Sequence, residues 1–142
     1  MSAPPLLRME FAARAESLAD VRAAVQRALA GQRIDARVAA RIVLAVDEAC
    51  ANIIRHAYRD CGDGCIALRI ERRRERLRFR LRDRAPAVDP ACVKPRDLSV
   101  CRPGGLGINI IDDTMDQWRL RPLKRHCGNV LTMARRLSAR KG

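Results

Sequence analysis

The chain has 142 residues, room for one domain with its own buried core and too little for two. An apolar fraction of 48% and a charged fraction of 32% exclude a disordered or fibrous polymer, and no apolar run approaches the ~20 residues of a membrane span. The net charge of +13 calls for an anionic partner or reflects a compositional preference for arginine.

Leu7, Met9 and Phe11 alternate with polar neighbours and predict a first strand with one buried face. Ser17-Leu-Ala-Asp20 has the form of a capping box, and Val21, Val25 and Leu29 give the helix behind it an apolar stripe that Gly31 ends. Asp35 is placed to cap a second helix of some twenty residues, with Val38, Ile42, Ala45, Ala49 and Ile53 turned inward and Asp60-Cys-Gly-Asp-Gly64 as its stop. A hairpin follows. Ile66, Leu68 and Ile70 alternate, Arg72 to Glu75 interrupt, and Leu77, Phe79 and Leu81 resume the period.

Between Arg84 and Gly105 periodicity disappears, and Pro86, Pro90, Pro95 and Pro103 punctuate a loop of functional length. Gly104-Gly105-Leu106-Gly107 then opens a helix bearing Ile108, Ile110, Ile111 and Met115. Trp118, Leu120 and Leu123 predict a strand, His126 to Asn129 a turn, and Val130 to Met133 the last strand. No repeat or second domain interrupts residues 1–142. The expected fold is α+β, a two-layer sandwich of a largely antiparallel sheet with helices on one face.

Three segments carry chemistry. Glu48 and Asn52, four apart, share one face of the second helix. The glutamate is able to take a proton, and the asparagine offers a neutral oxygen to a hard cation such as Mg²⁺. Asp83 ends the hairpin where the chain enters a turn; it suits a turn-capping carboxylate or an acceptor for an adenine amino group. Glycines at 104, 105 and 107 let backbone N–H groups approach phosphate at a helix N-terminus, a feature that steric needs alone also produce.

Taken together, Glu48 to Tyr58, Pro103 to Asp112 and Gly128 to Met133 resemble the ATP-binding domain of the GHKL proteins (gyrase B, Hsp90, histidine kinases and MutL). Within that group they resemble the bacterial anti-sigma-factor serine kinases of the RsbW and SpoIIAB type. The resemblance implies Glu48 as catalytic base and Asn52 as Mg²⁺ ligand. It implies adenine contacts from Asp83 with Ala85 beside it, and triphosphate contacts from Gly105, Leu106 and Gly107 at the end of a lid over about 85–104. It places Thr132 near the adenine. It also implies a cytoplasmic homodimeric kinase that uses ATP and Mg²⁺ to phosphorylate a STAS-domain anti-anti-sigma protein and sequesters a sigma factor or other regulator in transcription control. The family's turn after the aspartate reads Asp-x-Gly-x-Gly; here Ala85 and Ala87 replace both glycines, which threatens a positive-φ turn and leaves a docking module with weak ATP use as the alternative.

Two remaining features read blandly. Of the 29 basic residues only Lys94, Lys124 and Lys141 are lysines. The arginines are strung along the chain with four aromatics (Phe11, Tyr58, Phe79 and Trp118) among them, which makes a poor nucleic-acid footprint and fits an acidic protein better, so that a basic nucleic-acid-binding protein is the weaker of two alternatives beside the docking module. Cys50, Cys61, Cys65, Cys92, Cys101 and Cys127 read as free thiols of a reducing compartment, since Cys61 to Cys65 lacks the second pair that a zinc site requires.

Overall fold

The computed structural model describes residues 3–58, 64–85, 105–123 and 128–137. In chain order its principal elements are β1 (Leu7–Ala12), α1 (Leu18–Ala30), α2 (Ala36–Asn52), β2 (Cys65–Arg73), β3 (Arg76–Asp83), α3 (Gly105–Thr114), β4 (Gln117–Pro122) and β5 (Asn129–Arg136). The five strands form one antiparallel sheet in the order β1-β2-β3-β5-β4. The expected α+β layout is the one observed.

Period two drives the sheet. In β3, Leu77, Phe79, Leu81 and Asp83 are buried, and the residues between them are exposed arginines. Ile66, Leu68 and Ile70 of β2 join the same core, as do Leu131 and Met133 of β5. The helices close it from one side. Val21, Val25 and Leu29 come from α1, Ile42, Val46 and Ala49 from α2, and Ile111 from α3. Burying such a Leu, Ile or Phe side chain contributes about 1.5–3 kcal/mol.

The helix ends depart from expectation in instructive ways. Asp35 caps α2 as its side chain predicts, accepting from the backbone N–H groups of Arg37 (2.9 Å) and Val38 (3.3 Å). Ser17 makes no cap, because Ala15–Ser17 is already a 3-10 turn with Ser17 in helical conformation, so its hydroxyl cannot take the usual N-cap geometry. Gly31 ends α1 at φ −91°, and the left-handed residue is Arg33 at φ 56°. The hairpin turn is Arg74-Glu75, with Arg74 also at φ 56°. There Arg72 Nε donates to the Arg74 carbonyl at 2.8 Å, and its guanidinium also reaches the Gln32 carbonyl.

Past Asn52 the helix widens into a π turn over Ile53–Ala57, with Tyr58 N donating to the Ile53 carbonyl at 3.0 Å. The expected stop at residues 60–63, the body of the lid at 86–104 and the turn at 126–127 lie outside the described residues.

Candidate nucleotide-binding site

α2 presents Glu48 and Asn52 one turn apart, both half-buried, on a helix whose neighbouring Ala49, Cys50 and Ala51 are buried. Asp47 is engaged by Arg22 at 3.0 Å. Glu48 has no hydrogen-bond or ion-pair partner among the described residues, so its carboxylate is uncommitted. Asn52 is the sharper case. Both its Oδ1 and its Nδ2 are buried and unpartnered, at a cost of about 1–3 kcal/mol for each group left unmade. A buried carboxamide oxygen without a donor is the electron pair a hard cation takes. The π turn begins at the next residue, and such turns recur at functional positions where a helix must re-aim side chains.

Asp83 is buried on the helix-facing side of β3. Its Oδ1 accepts from Ala85 N at 2.9 Å and from Asn129 Nδ2 at 3.0 Å, and the backbone N–H of Asn129 donates to the carboxylate as well. Burial pushes its pKa above the ordinary carboxylate value, while these three hydrogen bonds pull the other way. A carboxylate offers about four lone-pair positions, so three donors leave room for one more.

Asn129, itself buried, is the site residue that sequence reasoning missed. The family resemblance instead implies Thr132 near the adenine. Thr132 lies three positions further along β5, in register with Arg80 of β3 and Arg119 of β4. Side chains alternate between the faces of a strand, so Thr132 projects away from the helices, whereas Asn129 faces them in register with Asp83. Thr132 therefore does not share the side of the sheet that holds Asp83, Glu48 and Asn52. The signal was present in Gly128-Asn129. Gly128 sits at φ +140°, and a Cβ there would lie 2.3 Å from the Asp83 carbonyl oxygen. Only glycine lets the strand enter so close to the aspartate.

Ala85 is buried and adopts no positive φ. The turn after Asp83 accordingly does not require glycine at that position; Ala87 lies outside the described residues. Tyr58 ties the two halves of the site together. Its hydroxyl donates to the Cys65 carbonyl at 2.8 Å and accepts from Arg84 N at 2.7 Å, pinning the end of the α2 segment to the residue after Asp83. Gly64 makes the ring's position possible, since a Cβ there would stand 2.3 Å from Tyr58 Cε1. Gly105, Leu106 and Gly107 form the first turn of α3, which packs against α2, so the N-terminal N–H groups of α3 supply the anion-favouring end of a helix dipole.

The chain's family follows from comparison with known proteins. The histidine kinase-like ATPase domain matches residues 11–135. The chain belongs to that family.

Within the family it resembles the serine-protein kinase RsbW of Bacillus subtilis (strain 168), at 29% identity over 104 residues. The match covers 67% of this chain and 62% of RsbW, so the chain spans somewhat under two thirds of that relative. Among solved structures, the RsbU and RsbW domains of a Mycobacterium tuberculosis protein superpose with a TM-score of 0.64 at 19% identity, covering 95% of this chain and 32% of that one. The SiaB–SiaC complex from Pseudomonas aeruginosa gives 0.62 at 15% identity, with 92% and 89% covered. The catalytic domain of the histidine kinase ThkA gives 0.54 at 15%, with 92% and 97% covered. At these identities the three structures speak for the fold. The family implies ATP binding.

Other chemistries find no support among the described residues. No group of three or more His, Cys, Asp or Glu side chains could hold a metal ion. Cys50 is buried, and desolvation, with the charge of Asp47 adding to it, pushes its thiol far up, so it is not a nucleophile. No described helix is long and apolar enough to cross a membrane.

Proposed function

We propose that this chain is an ATP- and Mg²⁺-dependent serine/threonine-protein kinase of a partner-switching system, acting on a STAS-domain anti-anti-sigma protein. The observation that carries the reading is Asn52, whose buried, unpartnered carboxamide lies one helical turn from an uncommitted glutamate in a histidine kinase-like ATPase domain. The residues present fit the groups required. Asn52 Oδ1 would hold the cation, Asp83 would accept the adenine amino hydrogen, and the first turn of α3 at Gly105, Leu106 and Gly107 would face phosphate. When bound, MgATP supplies the phosphoryl group and spreads its charge over the metal. Glu48 would take the proton from the partner's hydroxyl, a role its lack of any competing hydrogen bond leaves open. Asp83, held by Asn129 and Ala85, would orient the base and hence the phosphate chain, the positioning on which phosphoryl transfer depends.

RsbW is named a serine-protein kinase, and SiaB is solved as a complex with SiaC. Both support a protein substrate that docks on the domain. Dimerisation, capture of a sigma factor and residence in the cytoplasm belong to the same proposal. The test is incubation with γ-labelled ATP and the STAS-domain protein encoded nearest to this one. Label should appear on a serine or threonine of that protein and vanish with Glu48→Gln and with Asn52→Ala. Tight MgATP binding without transfer to any STAS protein would replace the kinase with a docking module.

A further inference from the structure

The fold does with arginine what the sequence does not announce. Positions strung along the chain converge on the face of the sheet that carries no helix. Every outward residue of β3 is an exposed arginine (Arg76, Arg78, Arg80 and Arg82). The register extends this column sideways. Arg8 of β1 pairs with Arg69 of β2, Arg69 with Arg80, and Arg80 with Thr132, which pairs in turn with Arg119. One cross-strand row thus carries an arginine on four of the five strands. Rows beside it add Arg73, Arg121 and Arg136, all exposed. Glu10 and Glu71 are the only carboxylates on this face among the described residues, and Glu71 is already held by Arg69 at 3.1 Å. Between the arginine columns of β3 and β4, β5 contributes small residues, Val130, Thr132 and Ala134.

We infer that this face binds double-stranded nucleic acid through its phosphate backbone, independently of sequence. Like charges directly opposite one another destabilise a sheet, so an array of this kind gains most when a polyanion lies over it. Arginine, with its planar fork, is the side chain suited to phosphate oxygens. Four features select the duplex over other anions. The face has no aromatic side chain among the described residues, since Trp118 and Phe79 are on the helix side; single strands, which need stacking platforms, are poorly served. It has no exposed large apolar side chain either, Leu44 of α2 being the exposed one, so it lacks the apolar anchor around which specific protein interfaces form. A second copy of the chain would bring arginine against arginine. The sheet also twists by about 20–25° per strand, so a flat bilayer would meet only part of it, whereas a rod is able to lie along one diagonal. The footprint, about 20 Å along β3 and about 19 Å across the strands, spans about six phosphates of a backbone rising 3.4 Å per residue on each strand. The nucleotide site lies across the sheet, so both are able to be filled together.

The experiment is fluorescence anisotropy with two labelled 20-base-pair DNA duplexes of unrelated sequence, over a salt series, using the whole chain. Both duplexes should bind alike. With four to six phosphates engaged, log K should fall against log salt with a slope of about −4 to −5. Replacing Arg78, Arg80 and Arg82 by glutamine should make the slope shallower by about 2–3 and weaken binding at least tenfold. Replacing the exposed Arg27, Arg37 and Arg41 of α1 and α2, an equal loss of charge on the other side of the molecule, should leave the slope unchanged. Circular dichroism and thermal unfolding confirm that both variants fold. Absence of duplex binding at low salt, an equal effect of the two triple variants, or binding to phosphatidylserine vesicles without binding to the duplexes would each overturn the inference.

Discussion

At Asp83 two demands oppose each other. Burial disfavours its charge, yet the proposed acceptance of an adenine amino hydrogen is strengthened by that charge. Its pKa is raised in the folded state from an ordinary 3.8, so between that value and the raised one the native chain binds more protons than the unfolded chain. The contribution of Asp83 to stability is therefore fully present below the unfolded value and is lost as pH rises through the folded one. The decline should be shallower in Asp83→Asn, measured by urea titration at a series of acidic pH values. Nucleotide affinity should run the opposite way, weakening as Asp83 protonates. Asp83→Asn should cost about 1.5–3 kcal/mol of ATP binding at neutral pH by calorimetry, the range for a charge-assisted hydrogen bond. Asn129→Ala should destabilise the fold by about 1–3 kcal/mol, because a buried carboxylate loses a donor, whereas Thr132→Val should leave nucleotide affinity alone. Asn52 shows the reverse balance. Its polar atoms have no partner, so Asn52→Leu should hold or raise the thermal midpoint while abolishing Mg²⁺-dependent ATP binding, a separation expected of a group kept for function at the expense of stability.

At the scale of elements, the site depends on two close approaches that only glycine permits. Gly128→Ala places a methyl group against the Asp83 carbonyl and forces a residue with a side chain to φ +140°; the expected loss is about 3 kcal/mol in denaturant unfolding. Tyr58→Phe keeps the ring and removes the hydroxyl that bridges Cys65 and Arg84. It should cost about 0.5–1.5 kcal/mol, because the two exposed backbone groups exchange the hydroxyl for water, and should weaken nucleotide binding by loosening the end of α2 from the Asp83 turn. Much of this level was legible in the sequence. Alternation in Ile66 to Ile70 and in Leu77 to Leu81 marks the hairpin, and Asp35 marks the start of α2. The π turn was not, because Ile53 to Ala57 carries the same apolar spacing as a helix. Ser17 failed as a cap because the chain was already turning before it.

Across the whole molecule, what the sequence withheld was register. The Glu48…Asn52 pair and Asp83 are local patterns and are visible as such. Asn129 belongs to the site only because β5 pairs with β3 and sets residue 129 against residue 83, a relation between segments far apart that no local periodicity encodes. The same register turns scattered arginines into one face, and it sends Thr132 to that face instead of the site. Alternation alone shows that β3 has an arginine side. That β1, β2 and β4 add theirs beside it depends on the order β1-β2-β3-β5-β4.

That order has a bearing on how the chain is made. Of the five described strands β5 leaves the ribosome after the other four, yet it is an interior one, lying between β3 and β4. Until it emerges, β3 presents an unpaired edge that invites pairing with another nascent chain, and Asp83 has none of the donors that Asn129 supplies. The hydrogen bond between them spans 46 residues, a few seconds of translation at about 5–20 residues per second. Synthesis interrupted before residue 129 would therefore yield no partial ATPase, only an open sheet prone to aggregate.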